Sequence, residues 1–373
     1  MKKRWHVTKP VLLSAAGKSA EEVWDNILRG RQDYFQKNSN GYFVARYRKD
    51  VPDVLDSLVN DSVEALREPA RAVLGKVSPE RVAVVLGNCD YYSQLAVDCR
   101  KTGKAYDISF LSPHKITDTI ASALGFKGPC FTVATACASG ATAIARAIDL
   151  LEAGYADVVL AGGIDTSSDI IVEGFASLSA VSPEHTNPFS RNRKGITLGD
   201  GAGYFFVSKE RLADFPVVIT GFGERSDGYN MTGPDPAAGA VTECLEAALS
   251  MAGLRAEDID YINLHGTGTK ANDSMEGLAV SRVFPAGTAV SSTKAVTGHT
   301  LAAAGAIELG LCALAIAGDG FLPPHVYDGE TEDEASGLSF VRVGERKQIK
   351  RALSSSFAFG GADAAVIMER EDA

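Results

Sequence analysis

The sequence predicts an α/β protein made of two duplicated halves, and three observations support this. Short apolar, β-branched runs alternate with helical repeats along the chain, the pattern of strands buried between helices. Two Ala/Gly-rich helical stretches, one after Cys137 and one after His299, echo each other, and both end in Ala-Gly. Each follows a strand and a reactive side chain at a turn. That repetition points to an internal duplication whose two central helices pack closely through small side chains.

In chain order, residues 20–29 carry Val23, Trp24, Ile27 and Leu28 and read as an amphipathic helix closed near Gly30. The segment 41–50 sets Arg46, Arg48 and Lys49 beside Tyr42, Phe43 and Tyr47, a partly exposed basic loop. Helices are expected over 54–75 and 115–125, and buried strands over 81–86 and 130–136. From Ala138 the residues Ala141, Ile144, Ile148 and Leu151 keep roughly helical spacing up to Gly154. A strand over 156–161 is expected to stop at Gly162-Gly163. Residues 181–198 read as loop with a basic run, and Gly199–Gly203 opens a strand over 204–208. A linker over 209–216 divides an N-terminal half, 1–212, holding the cysteine, from a C-terminal half, 213–373, holding two histidines. In the second half strands are expected over 216–220, 259–264, 289–292, 353–356 and 364–368. Helices are expected over 240–252 and 301–317.

Bulk properties narrow the function. The 373 residues carry a net charge of −10, which argues against general nucleic-acid binding, because phosphate contacts need a basic surface. Six cysteines without a CxxC pair read as reduced thiols. The apolar run at 11–13 is too short for a signal peptide, and no run nears the roughly 18 residues of a membrane span. A cytoplasmic location is expected.

Cys137 sits where a strand runs into a helix, and the positive end of the helix dipole is expected to favour its thiolate. Alone, it reads equally as a buried core thiol. His265 opens a Gly/Thr-rich loop in which Thr267 and Thr269 suit hydrogen bonding to an amide-bearing arm. His299 precedes a helix, where the dipole keeps an imidazole neutral and able to donate to a developing oxyanion. Lys294 and Glu308 suit a buried pair that orients both rings. The Cys, His and Glu residues lack the local spacing of a zinc site, so no metal is expected. A Cys–His hydrolase stays open, although it needs fewer groups than these.

Several segments then resemble one family in its own order. They are Thr135-Ala-Cys-Ala-Ser-Gly140, Asn187-Pro-Phe-Ser-Arg-Asn-Arg-Lys-Gly195, Leu198-Gly-Asp-Gly-Ala-Gly203 and Ser226-Asp-Gly-Tyr-Asn-Met-Thr-Gly-Pro-Asp-Pro236. Asn263-Leu-His-Gly-Thr-Gly-Thr269, Ser291-Ser-Thr-Lys-Ala-Val-Thr-Gly-His299 and Ser356-Phe-Ala-Phe-Gly-Gly361 complete the set. Together they resemble the β-ketoacyl-acyl-carrier-protein synthases, decarboxylating condensing enzymes of the thiolase-like superfamily.

The resemblance implies a thiolase-like fold with layered α-β-α-β-α architecture. It implies Cys137 as nucleophile, with His265 and His299 promoting malonyl decarboxylation. The backbone N–H groups of Cys137 and Phe359 would form an oxyanion hole, with Phe359 as a gate. Lys294 and Glu308 would order the histidines, and Thr267, Thr269, Gly360 and Gly361 would bind substrate. Lys127 and Arg193 match carrier-docking positions. The implied partners are an acyl carrier protein, which brings the phosphopantetheine so that no further cofactor is needed, and a second subunit in a homodimer or heterodimer. The implied reaction is decarboxylative Claisen condensation in fatty-acid-type elongation. The alternative is a type II polyketide or polyene ketosynthase paired with a chain-length partner; a non-catalytic partner subunit is disfavoured because Cys137 is present. Two departures bear on specificity: the segment 111–125 is short for an elongation synthase, and Asn230 stands where the family often has His.

Overall fold

The computed structural model describes residues 3–38, 40–48 and 54–373. The N-terminal half contains β1 (Trp5–Val7), β2 (Val11–Ser14), α1 (Ala20–Leu28), β3 (Gln36–Lys37), β4 (Phe43–Ala45) and α2 (Val54–Leu74). It continues through β5 (Val82–Gly87), α3 (Ser93–Thr102), α4 (Lys115–Leu124), β6 (Cys130–Val133) and α5 (Ser139–Glu152). It closes with β7 (Val158–Asp165), α6 (Asp169–Ser177), β8 (Leu198–Gly199) and β9 (Gly201–Ser208). The C-terminal half contains β10 (Val217–Ser226), α7 (Gly239–Ala252), β11 (Tyr261–Asn263), α8 (Lys270–Val283), β12 (Ala289–Ser291) and α9 (Lys294–Thr297). It ends with α10 (Ala304–Ala317), β13 (Ser339–Phe340), β14 (Arg351–Phe357) and β15 (Ala362–Arg370).

The duplication is visible in the strand order. One half runs β6-β5-β7-β9-β2 and the other β12-β11-β14-β15-β10, with the same alternation of parallel and antiparallel pairs. Strand β1 pairs with both β9 and β10 and joins the halves into one hydrogen-bonded path. Period-2 alternation of side chains builds the layers. In β5, Val82, Val84 and Leu86 face α2 and α4, while Ala83 and Val85 face α5 and α10. The other half repeats this, with Ile262, Leu353 and Ile367 against α7 and α8, and Tyr261, Ala352 and Met368 toward the centre. The five layers are therefore α-β-α-β-α. Among the described residues no helix is long and apolar enough to cross a membrane.

The central helices touch through glycines. A Cβ on Gly140 would lie 2.8 Å from the Ala302 carbonyl oxygen, and one on Gly305 would lie 3.0 Å from the Ala141 nitrogen. Glycine also explains one corrected boundary. Strand β7 runs through Gly162 and Gly163 instead of stopping there, because a Cβ on Gly162 would meet the Gly203 carbonyl oxygen of β9 at 1.9 Å. These glycines allow two backbones to meet and do not break the strand. The basic loop expected at 41–50 is also corrected. Phe43–Ala45 forms a strand, and Arg46 lies between Asp169 at 3.4 Å and Asp200 at 3.7 Å; Lys49 lies outside the described residues.

Candidate active site

Cys137 lies in a single 3-10 turn over Ala136–Ala138, between β6 and α5. The residue before it, Ala136, has φ +47°, a left-handed conformation that a residue with a Cβ holds only when its surroundings fix it. Ser139 supplies part of that fixing: its hydroxyl donates to the Ala136 carbonyl at 2.6 Å and accepts the Thr135 N–H at 2.9 Å.

His265 follows β11, and its turn is gripped by a carboxylate that sequence reasoning missed. Glu276 on α8 accepts the N–H groups of His265 and Gly266, each at 2.7 Å. Helix α8 itself is hard to read from the sequence, because Asn272, Asp273 and Glu276 are buried beside Met275, Ala279 and Val280 and interrupt the apolar period. The usable signal was the pair of carboxylates three residues apart just after the Gly/Thr loop.

His299 lies between α9 and a 3-10 turn over Leu301–Ala303. Its N–H donates to the Thr197 carbonyl at 2.7 Å, and its Nδ1 accepts the Leu301 N–H at 3.2 Å. An accepting Nδ1 leaves the ring proton on Nε2. Burial, reinforced by Lys294, holds both imidazoles well below the usual histidine range. The two rings meet edge to face with centroids 5.3 Å apart.

The Cys137 sulfur and one nitrogen of each histidine lie within 4.8 Å of one another, all buried. Such a cluster could hold a soft metal, but its chemistry points elsewhere. The proton on His299 Nε2 occupies the lone pair that a metal would need, and Lys294 adds positive charge beside the site. The arrangement suits a thiol faced by neutral hydrogen-bond donors. Burial pushes the Cys137 thiol up to about 12, opposed by Lys294 and by the N–H groups of Phe359 and Cys137 itself. This corrects the expectation of a thiolate held by the helix dipole: desolvation of a sulfur buried at the cavity wall pushes the thiol up against the half-charge at a helix end.

Behind the rings, Lys294 Nζ donates to Glu308 Oε1, and both residues are fully enclosed. Burial raises the Glu308 carboxyl to about 7 against the pull of Lys294, and its Oε2 has no hydrogen-bond partner. Asp165, at the end of β7, is a second residue the sequence did not single out. It accepts the N–H of Ala302 at 3.0 Å, tying the turn after His299 to the half that carries Cys137.

A cavity of about 330 Å³ opens onto this cluster, lined by Cys137, His265, His299, Thr267, Thr269 and Phe359 among others. The Thr267 and Thr269 hydroxyls lie 3.0 Å apart. The Phe359 ring lies against Phe175 at 5.3 Å, and Gly360 and Gly361 turn the chain in left-handed conformations without lining the cavity. The expected docking pair does not form a surface. Arg193 is buried, its guanidinium held by Glu332 and by the Ser190 carbonyl at 2.8 Å, so its charge is neutralised inside the protein. Lys127 is exposed beside Glu80 at 3.6 Å, but it precedes β6 while Cys137 follows it, at the opposite end of that strand.

Residues 54–213 match the family description "Beta-ketoacyl synthase, N-terminal domain", and residues 217–327 match "Beta-ketoacyl synthase, C-terminal domain". The chain belongs to the β-ketoacyl synthase family. It is 34% identical to Nodulation protein E of Rhizobium meliloti (strain 1021), over 78% of this synthase and 74% of that protein. It is 31% identical to 3-oxoacyl-[acyl-carrier-protein] synthase 2 of Coxiella burnetii (strain RSA 493 / Nine Mile phase I), over 99% of each. Among solved structures it resembles the ketosynthase ApeO, in complex with its chain length factor ApeC, from Xenorhabdus doucetiae. That match has a TM-score of 0.88 and 28% identity, covering 99% of this synthase and 98% of that chain. This synthase is a ketosynthase condensing enzyme of the fatty-acid or polyketide type, on a thiolase-like fold.

Proposed function

We propose that this synthase takes an acyl chain from a carrier-protein thioester onto Cys137 and condenses it with malonyl-carrier protein in fatty-acid-type elongation. The supporting observation is a buried thiol within 4.8 Å of two neutral imidazoles. In the first half-reaction the Cys137 sulfur bonds to the acyl carbon, the carrier thioester breaks, and the thiol proton ends on the departing carrier thiol. In the second, the malonyl carboxylate leaves as CO₂ while His265 and His299 donate to the enolate oxygen. Neutral donors suit this step, since they stabilise the enolate without quenching the carbanion. The carbanion attacks the acyl-Cys137 carbonyl, the N–H groups of Cys137 and Phe359 receive its oxyanion, and the sulfur leaves and regains a proton. The Phe359 ring guards entry. Thr267 and Thr269 bind the amides of the phosphopantetheine arm, and no cofactor beyond that arm enters the reaction. Lys194 and Lys270, exposed residues of the cavity wall, meet the acidic carrier.

A second subunit fits at the edge strand β6. Its outer backbone has no neighbouring strand among the described residues, and Phe131 is 47% exposed there. Relatives named as a ketosynthase with its chain length factor support the alternative of a polyketide-type enzyme with a related subunit at that edge.

The test is intact-mass analysis after mixing with carrier proteins bearing different acyl chains. An adduct on the wild type that is lost in Cys137→Ala supports the reading, and the preferred chain separates fatty-acid from polyketide use. No adduct with any donor would refute acyl transfer to Cys137.

A further inference from the structure

The turn that carries Phe359 is clasped to a second loop, and near the clasp lies a carboxyl group with one buried oxygen that has no hydrogen-bond partner. Two backbone hydrogen bonds join the loops: Asp227 N–H to the Gly361 carbonyl at 3.0 Å, and Gly360 N–H to the Met231 carbonyl at 2.9 Å. Asp227 organises its own loop by accepting the N–H groups of Tyr229 at 3.0 Å and Asp235 at 3.2 Å. The contact is tight enough that a Cβ on Gly361 would fall 2.0 Å from Asp227 Oδ1. Asp363, two residues beyond Gly361, also lines the cavity. It is 5% exposed, and its Oδ2 is buried without a hydrogen-bond partner.

We propose that Asp363 is a positioning residue that acts through the Phe359 loop: protonated, it lets the clasp close, and ionised, it faces the Asp227 carboxylate and loosens the loop over Cys137. This rests on the gating role assigned above to Phe359. Burial first, and then the Asp227 charge, raise the Asp363 carboxyl to about 7, so the change falls in the neutral range. The other groups around it do not cancel the Asp227 charge. Arg225, its cross-strand neighbour on β10, is engaged with Glu243 of α7 at 3.2 Å. Glu224 is paired with Arg146, Asp235 adds a further carboxylate on the Asp227 loop, and burial keeps the Cys244 thiol of α7 protonated.

Alkylation of Cys137 by iodoacetamide, followed from pH 6 to 9 by intact mass, reads the loop directly. With its thiol near 12, Cys137 alone gives a tenfold rise in rate per pH unit across this range. The wild type should show an additional rise of about fivefold centred near pH 7, the opening that one like-charge pair at the clasp drives. Asp363→Asn keeps the shape and cannot ionise, so it should follow the plain tenfold slope. Hydrogen exchange of the Gly360 and Gly361 amides, corrected for its intrinsic pH slope, should show the same difference. A plain slope in the wild type, or the same extra rise in Asp363→Asn, overturns the proposal. Alkylation needs no carrier protein, so failure of every acyl donor would refute the condensing reading and leave this result standing.

Discussion

The buried Lys294–Glu308 pair gives the sharpest quantitative test of how the site is held. At pH 8.5, above the Glu308 carboxyl's value of about 7, Glu308→Gln preserves shape and removes the charge that faces Lys294, whose side chain is 1% exposed. Removing one partner of such a pair costs about 3–5 kcal/mol, because the other charge is left without a counter-charge or water. Glu308 holds Lys294 through one oxygen while its other oxygen has no partner, which places the loss at the low end, about 3 kcal/mol. Lys294→Met combined with Glu308→Leu removes both charges and should return stability to within about 1 kcal/mol of wild type. The double variant should still lose function. Lys294 pulls the Cys137 thiol down, so its removal should slow iodoacetamide alkylation at fixed pH. Urea denaturation measures stability and intact mass measures alkylation. If Glu308→Gln proves as stable as wild type, or the double variant no more stable than the single, the pair does not carry buried charge as described.

Two further outcomes follow from the packing and from histidine burial. Gly140→Leu pushes a side chain onto the Ala302 carbonyl, where a Cβ alone would lie 2.8 Å away, and should lower stability by at least about 3 kcal/mol in thermal melts. An unchanged melting temperature would mean that the central helices can separate. His325, stacked on Phe340 at 4.3 Å, is lowered to about 4 by burial, so between its ordinary value and 4 only the unfolded chain takes up the proton. Stability is therefore lost as pH falls through that window, and His325→Gln should lose about 2 kcal/mol less than wild type between pH 7.5 and 5. Equal losses in the two proteins would refute this.

The strands and the two central helices were legible in the sequence because their residues repeat at the periods burial imposes. Ile144, Ile148 and Leu151 mark the inner face of α5, and Val82, Val84 and Leu86 mark one face of β5. Cys137 and His265 stood out because each occupies a turn after a strand, and His299 because it stands just before an Ala/Gly-rich helix. What was not legible lies in polar burial and in contacts between distant segments. Glu276 looks like an ordinary surface glutamate until α8 brings it under the His265 turn. Arg193 reads as a surface cation because nothing local announces that Glu332 meets it from 139 positions downstream. The upward push on the Cys137 thiol was not legible because a helix end is visible in the sequence, whereas desolvation is a property of the packed whole.

The matching topology of the halves also lets their turns be laid over one another. Ala136–Ala138 before α5 corresponds to Leu301–Ala303 before α10, and the left-handed residue recurs at the first position of each, with φ +47° at Ala136 and +53° at Leu301. Cys137 then falls on Ala302, and His265, two residues past β11, falls on Cys89, two residues past β5. Neither half repeats the other's reactive side chain at the equivalent position. A symmetric ancestor with two equal sites would have had to fit attack and enolate stabilisation into each. Here one half carries the sulfur and the other the imidazoles, and the three side chains meet in a single asymmetric centre. The second strained turn keeps its backbone and carries a methyl group where its counterpart carries the nucleophile.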